Sequence, residues 1–92
     1  MDNDFKCGDI VLSKAGRDTG RYFIVLKCEE IFAYISDGDL RKTDTPKRKK
    51  FRHLTFCGEN SAFAEDRIES GEKLTNTEIR REIREFCERN NI

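Results

Sequence analysis

The amino-acid sequence predicts a mainly β fold of the α+β class, a small β-barrel followed by a C-terminal α-helix. Two observations support this prediction. Short apolar or alternating segments, separated by turn residues, follow one another up to residue 56 and predict four or five strands. From Thr75 onwards, apolar residues recur at helical spacing instead. Short strands at this density suit a small, partly open barrel better than a layered α/β fold.

The first two predicted strands flank a loop that contains two glycines. "DIVLS" at residues 9–13 is rich in β-branched residues and lies between Gly8 and Gly16. "RYFIVLKC" at residues 21–28 is the strongest predicted strand of the chain. Its apolar residues fall on both faces, with Tyr22, Ile24 and Leu26 on one and Phe23 and Val25 on the other. This pattern predicts a strongly curved strand that is packed inside the barrel and also covered outside.

The remaining strands follow at short intervals. "IFAYIS" at residues 31–36 predicts a third strand, and "DGD" at residues 37–39 predicts a tight turn because Asp-Gly readily adopts positive φ angles. Leu40 is expected to resume an extended segment, which Pro46 ends. "KFRHLTF" at residues 50–56 alternates between two faces and predicts the last strand.

The C-terminal third predicts a helix over residues 75–89. Thr75 and Glu78 have the spacing of a capping box, and Leu74 and Ile79 occupy the staple positions beside it. Ile79, Ile83, Phe86 and Cys87 then form one apolar stripe, which we expect to be buried on the barrel. The predicted organisation is a barrel over residues 1–56, a connecting segment over 57–74 and the packed helix over 75–92. "SAFAEDRIES" within the connecting segment is consistent with a short helix that Gly71 ends.

Composition predicts one small polar domain. The 92 residues are 36% apolar and 39% charged, with a formal net charge of zero. Residues 41–53 nevertheless hold seven Lys and Arg against one acid, a local charge of +6. Such a block predicts a localised anion-binding feature, and a solvated basic loop without a partner is the alternative. No run approaches the roughly 20 apolar residues of a membrane span, and no apolar segment follows Met1. We therefore expect a cytoplasmic protein without a membrane partner.

Nothing in the sequence predicts catalysis, a cofactor or a metal site. The four cysteines include no C-x-x-C pair, so we expect free thiols and no zinc. The single histidine, His53, lies in a basic stretch and has no evident nucleophile or carboxylate partner. "GRDTGR" lacks the Lys-Ser/Thr ending of a P-loop and precedes a strand rather than a helix. We expect a binding protein and not an enzyme.

The glycine loop and its flanking strands, "GDIVLSKAGRDTGRYFIVL", resemble the KOW motif of ribosomal proteins and transcription elongation factors. The match consists of Gly8, Asp9, Val11, Lys14, Gly16, Arg17, Asp18, Gly20 and the hydrophobic run to Leu26. "YISDGDLRKTDTPKRKKFRHL" and "IESGEKLTNTEIRREI" are similar to later parts of short bacterial KOW-domain proteins. Those proteins are in turn similar to the large-subunit ribosomal protein fourteen family of archaea and eukaryotes.

This resemblance implies an SH3-like barrel that binds structured RNA, above all ribosomal RNA, with ribosomal proteins as possible neighbours. We expect a monomer. Glycine backbone in the loop can approach a ligand closely, and basic side chains around it can meet phosphates. Asp18 is expected to orient an arginine or to close the turn. The candidate RNA-binding residues are Lys14, Gly16, Arg17, Gly20, Arg21, Arg41, Lys42, Lys47, Arg48, Lys49, Lys50, Arg52 and His53.

Two questions stay open at the level of sequence. Tyr22, Phe32, Tyr34 and Phe51 are candidates for base stacking, although packing in the core is the more frequent role of such residues. The alternative function is a protein-interaction barrel that binds an acidic protein partner or peptide, because small barrels with exposed aromatic residues also dock peptides.

Overall fold

The computed structural model describes residues 5–92. It contains an antiparallel sheet of five strands and two helices, which confirms the predicted α+β class. The elements are β1 (Asp9–Ser13), β2 (Tyr22–Cys28), β3 (Phe32–Ser36), β4 (Lys47–Lys50), β5 (Leu54–Asn60), α1 (Ala62–Glu69) and α2 (Asn76–Arg89). Two single 3-10 turns, Gly16–Asp18 and Phe51–His53, lie in the β1–β2 and β4–β5 connections.

The strand order β4-β3-β2-β1-β5 places the consecutive strands β4 and β5 at opposite edges of the sheet. No hydrogen-bonded ladder joins these two edges within residues 5–92, so the sheet is open. The edges of a flat five-stranded sheet would lie about 19 Å apart, whereas the link from Lys50 to Leu54 spans at most about 15 Å. The sheet must therefore curl to bring its two edges together.

Both faces of the curled sheet are covered. One cluster, which consists of Val11, Phe23, Val25, Ala33, Ile35 and Leu54, contains side chains from the strands alone. The second cluster adds helical residues to the opposite face and consists of Ile10, Ile24, Ala64, Leu74, Ile79 and Phe86. Phe23 and Ile24 are both fully buried although they point in opposite directions from β2. The two-sided apolar pattern of β2 is thus confirmed as a strand buried on both faces.

Helix α2 begins with the capping box that the sequence predicts. The Thr75 hydroxyl accepts a hydrogen bond from the backbone N–H of Glu78, and the Glu78 carboxylate accepts one from the backbone N–H of Thr75. Ile79 and Phe86 are buried against the sheet, where the Phe86 ring lies 5.6 Å from that of Tyr22. Ile83 and Cys87 are half-buried beside them, so the packing of the apolar stripe on the sheet is confirmed. Ser61 caps α1, which lies within the segment "SAFAEDRIES" that is consistent with a short helix.

Two segments differ from the expected strands. Leu40 does not begin a strand, because the Asp37 carboxylate accepts hydrogen bonds from the backbone N–H groups of Asp39 and Arg41 and closes a compact loop there. "KFRHLTF" is not one strand either, since its first residues end β4 and form the 3-10 turn. That turn is required because the chain must pass from one edge of the sheet to the other. Strand β5 then runs to Asn60, beyond residue 56.

Gly38 fixes the N-terminal end of α2 against the β3–β4 loop. It adopts a φ of +75°, and a Cβ atom placed there would clash with the backbone oxygen of Asn76. The Arg80 guanidinium donates a hydrogen bond to the Gly38 carbonyl oxygen, and the backbone N–H of Thr43 donates one to the Asn76 side chain. The loop and the first turns of α2 are therefore in direct contact.

Gly38→Ala should destabilise the protein far more than Gly71→Ala. Gly71 has a similar φ of +77° but open space around its missing Cβ, so its substitution costs only the backbone strain of about 1–2 kcal/mol. Gly38→Ala adds the clash with Asn76, and we expect a further loss of about 1–3 kcal/mol. Urea denaturation followed by circular dichroism measures both variants. Equal free energies of unfolding would show that α2 does not rest closely on this loop.

Candidate nucleic-acid interface

The glycine loop, residues 14–21, connects β1 to β2 and is shaped by local hydrogen bonds. The backbone N–H of Gly20 donates to the Ser13 carbonyl at 2.8 Å, and the Thr19 hydroxyl donates to the Gly16 carbonyl at 2.6 Å. Gly16 and Gly20 have φ angles of +78° and +86°, a region that favours glycine. Among residues 5–92, no atom outside Gly20 and its two chain neighbours lies within 4 Å of the position that a Cβ of Gly20 would occupy. The backbone at Gly20 is therefore open to close approach.

A buried carboxylate anchors this loop to the sheet. Asp18 is only 4% exposed, and its oxygens lie 3.5 Å from the Arg41 guanidinium and 3.7 Å from the Lys49 ammonium. Lys49 is also buried, at 7% exposure, and donates a hydrogen bond to the Ala15 carbonyl at 2.6 Å. Arg41 and Lys49 were both candidate RNA-binding residues. In the structure they hold the loop in place, and Lys49 has almost no surface to offer a ligand.

Arg21 is likewise held by an acid. Its guanidinium donates to the Asp37 carboxylate at 2.9 Å, and Asp39 lies 4.0 Å away. Burial by itself raises the pKa of Asp37, but hydrogen bonds from the backbone N–H of Arg41, the Arg21 guanidinium and the backbone N–H of Asp39 outweigh it. The resulting pKa is lower than usual, so Asp37 stays ionised and compensates the charge of Arg21.

The basic corner, residues 47–53, comprises β4 and the 3-10 turn after it. Lys14 joins the glycine loop to this corner, because its backbone N–H donates to the His53 carbonyl at 2.9 Å. The Arg48 guanidinium is exposed and lies 3.9 Å from the centre of the Phe32 ring. Six cations of the loop and corner have no carboxylate oxygen within 4.0 Å in residues 5–92. They are Lys14, Arg17, Lys47, Arg48, Lys50 and Arg52.

His53 reports the positive potential of the corner. Partial burial lowers its pKa below the ordinary 6.5, and nearby cations lower it further. These cations are Arg52, Lys49, Lys50 and Lys14. The imidazole is therefore mostly neutral at pH 7 and can donate or accept a hydrogen bond there.

The four aromatic candidates for base stacking are all half-buried. Tyr22 packs on α2, and the ring of Phe51 lies 5.2 Å from that of Phe5. Phe32 is covered by Arg48, and the Tyr34 hydroxyl donates to Glu29 at 3.2 Å. Each ring thus has a contact within the protein, and two of them, Phe32 and Phe51, lie beside cations of the corner. Lys42, the remaining candidate, is exposed and donates to the Asp39 carbonyl at 2.7 Å.

The four cysteines form no disulfide within residues 5–92. Cys7, Cys28, Cys57 and Cys87 are half-buried free thiols, and burial is the main reason that the pKa values of Cys28 and Cys57 rise to about 11. Within the described part of the chain, no group of three or more His, Cys, Asp and Glu is placed to hold a metal ion. None of the helices in residues 5–92 has the length and apolar character of a membrane span.

Neither the models of known protein families nor the curated protein sequences match this chain. The support for an RNA-binding role therefore comes from the residues quoted for the KOW resemblance and from the geometry of the site. That geometry also includes two residues that the sequence did not single out, Arg80 and Arg84 of α2, which border the end of the glycine loop. Their four-residue spacing was visible, but the strong apolar stripe of α2 indicated a packing helix only.

The titration of His53 tests the potential at the corner. Because it is the single histidine of the chain, its imidazole proton resonances are unambiguous. We expect a midpoint below 6.5 that rises when salt is added, since salt screens the neighbouring cations. The lowered pKa also means that the folded protein binds this proton less tightly than the unfolded chain, so the stability contribution of His53 falls below about pH 6.5. A midpoint that does not respond to salt would show that burial alone sets the pKa.

Proposed function

We propose that this protein is a non-catalytic RNA-binding module whose contact surface consists of the glycine loop and the basic corner. One observation carries the proposal. The hydrogen bond between Lys14 and His53 brings together two basic segments through residues that lie 39 positions apart in the chain. The loop and the corner that it joins hold six cations that are not compensated by carboxylates of the described residues. Such a surface suits the regularly spaced negative charges of a nucleic-acid backbone.

The architecture behind this surface is, in our proposal, an SH3-like barrel. The strand order, the curl of the sheet and the 3-10 link between its two edges support this assignment. In such an arrangement the glycine loop and the β4–β5 turn lie at the same end of the barrel, which agrees with the contact between Lys14 and His53. The barrel thus provides a rigid base for two short basic segments.

Structured RNA is the partner that we propose, with ribosomal RNA as its source and ribosomal proteins as possible neighbours. Lys and Arg contacts to phosphates position a protein on RNA without reading its sequence. The half-buried aromatic rings leave little surface for the splayed bases on which sequence-specific RNA recognition depends. Ribosomal association is supported by the KOW resemblance. We further propose a cytoplasmic monomer.

A second candidate function is supported by one feature of the corner. Ile31 is 53% exposed and borders a groove of about 220 Å³ together with Lys50, Phe51 and Arg52. An apolar groove between two cations would also suit an acidic peptide with one apolar anchor residue. This alternative predicts that Ile31→Ser weakens binding of the acidic partner. If the corner contacts only phosphates, the same substitution leaves RNA binding unchanged.

Neutralising β4 should weaken RNA binding in a salt-dependent way. We expect Lys47→Gln, Arg48→Gln and Lys50→Gln together to make the log–log salt dependence shallower by about 2 to 3, since each lost phosphate contact removes about 0.7–0.9. Lys49 stays unchanged, because removing one partner of a buried ion pair costs about 3–5 kcal/mol and would confuse folding with binding. Fluorescence anisotropy with RNA hairpins of unrelated sequence measures the effect.

The matched control carries the same change in charge elsewhere. Lys6, Lys27 and Lys73 are exposed and lie outside the loop and the corner, so Lys6→Gln, Lys27→Gln and Lys73→Gln together should leave the slope nearly unchanged. If the two triple variants show the same slope, the β4 cations do not contact RNA, and the acidic-partner alternative becomes the better explanation. If the wild-type protein does not bind RNA at all, the proposed function is wrong.

Gly20→Val should act in a different manner. The substitution blocks close backbone approach without changing any charge, so we expect lower affinity for RNA and an unchanged salt slope. Gly71→Val is the control, because Gly71 has nearly the same φ and the same open surroundings but lies far along the chain from the loop. Equal affinity of the two variants would mean that the Gly20 backbone does not approach the ligand.

A further inference from the structure

The two ends of the glycine loop face different surroundings. Its beginning contacts the basic corner through Lys14, whereas its end, Gly20 and Arg21, borders an open cleft of about 490 Å³ against α2. Tyr22 and Ile83 contribute apolar lining to this cleft. Two arginines of α2 complete the helical side of the cleft, and neither of them belongs to the surface proposed above.

The arginines of α2 fall into two groups. Arg81 lies 3.0 Å from Glu82, and Arg89 lies 2.7 Å from Glu59. Arg80 and Arg84, the two that line the cleft, have no carboxylate oxygen within 4.0 Å among residues 5–92. They are separated by one helical turn, and a like-charged pair at this spacing destabilises a helix. A helix that pairs its other arginines thus leaves two uncompensated where the glycine loop ends.

Hydrogen bonds within the protein fix the position of Arg80 in the cleft. The Arg80 guanidinium donates to the Gly38 carbonyl and, at 3.2 Å, to the Thr77 hydroxyl. Two acids also line the cleft. The Asp37 carboxylate pairs with Arg21 at 2.9 Å. The Asp39 side chain is 66% exposed and lies 4.0 Å from Arg21, so Asp39 is the acid that would repel a bound anion.

We propose that this cleft binds a phosphate group of the RNA backbone, with Arg80 and Arg84 as its cations and the open backbone of Gly20 at its edge. This inference rests on the proposed function and extends it. RNA would then contact both sides of the glycine loop, at the basic corner and at α2. A free nucleotide carries the same phosphate chemistry and is the other possible source of the ligand.

Arg84→Gln tests the cleft most directly, because Arg84 is exposed and carries no packing contact of the core. At about 0.1 M salt we expect roughly fivefold weaker binding of an RNA hairpin to the full chain, and a log–log slope that is shallower by about 0.7–0.9. Asp39→Asn should have the opposite effect and tighten binding, since it removes the opposing charge. Arg84→Lys should retain the wild-type slope. Lys73→Gln, at an exposed ion pair with Asp44, is the control for a lost positive charge.

The outcomes separate this inference from the proposed function. Weaker binding with Arg84→Gln and tighter binding with Asp39→Asn support the cleft. If the β4 variant weakens RNA binding while Arg84→Gln and Asp39→Asn behave like Lys73→Gln, the cleft inference is overturned and the proposed function stands. A titration of the protein with AMP, followed through the amide resonances of the protein, tests whether a free nucleotide is the ligand. If Arg84→Gln abolishes AMP binding but leaves RNA affinity unchanged, the cleft holds free nucleotides, and its role in RNA binding is overturned.

Discussion

The buried contact between Asp18 and Lys49 is the interaction on which the candidate site depends. It joins a loop between β1 and β2 to an edge strand from the other end of the sheet, with the carboxylate and the ammonium both under 8% exposed. Burial removes the hydration of both charges, which only close geometry and further hydrogen bonds can offset. The Ala15 carbonyl and the Arg41 guanidinium supply those additional contacts. The position of the glycine loop is therefore set by electrostatics in a region where few apolar side chains are available.

This constraint divides the cations of the molecule into two kinds. Arg21, Arg41 and Lys49 are compensated by buried acids and hold the loop against the sheet. Others, such as Arg52 of the corner and Arg84 of α2, have no such partner in residues 5–92, and their charge stays uncompensated within this part of the chain. The basic block looks uniform in the sequence, yet it contains both side chains that support the loop and side chains without an internal carboxylate partner. Mutations in the block would affect stability or binding according to which kind they remove.

Sequence patterns predicted the elements in which apolar and polar residues contrast. The alternation in β2, the stripe of α2 and the capping box at Thr75 each correspond to an observed element. Where apolar and polar residues did not contrast, the prediction was wrong or could not be made. Four consecutive basic residues, Lys47–Lys50, give no sign of which side chain points inward, so the burial of Lys49 was not visible. The 3-10 turn at Phe51–His53 was missed for another reason, because it follows from the need to cross between sheet edges and not from local preference.

Helix α2 links the stability of the fold to the geometry of the site. Its buried face packs Phe86 on Tyr22, the first residue of β2 after the glycine loop. Its opposite margin presents Arg80 and Arg84 to the cleft at the end of the same loop. Apolar packing of the helix therefore determines where these two charges lie, and the Arg80 contact to Gly38 fixes the helix start. A weakening of this packing would displace both arginines from the glycine loop while the contact of Lys14 with the basic corner remained. The two sides of the loop are thus supported by different forces, burial of apolar side chains on the helical side and ion pairing on the sheet side.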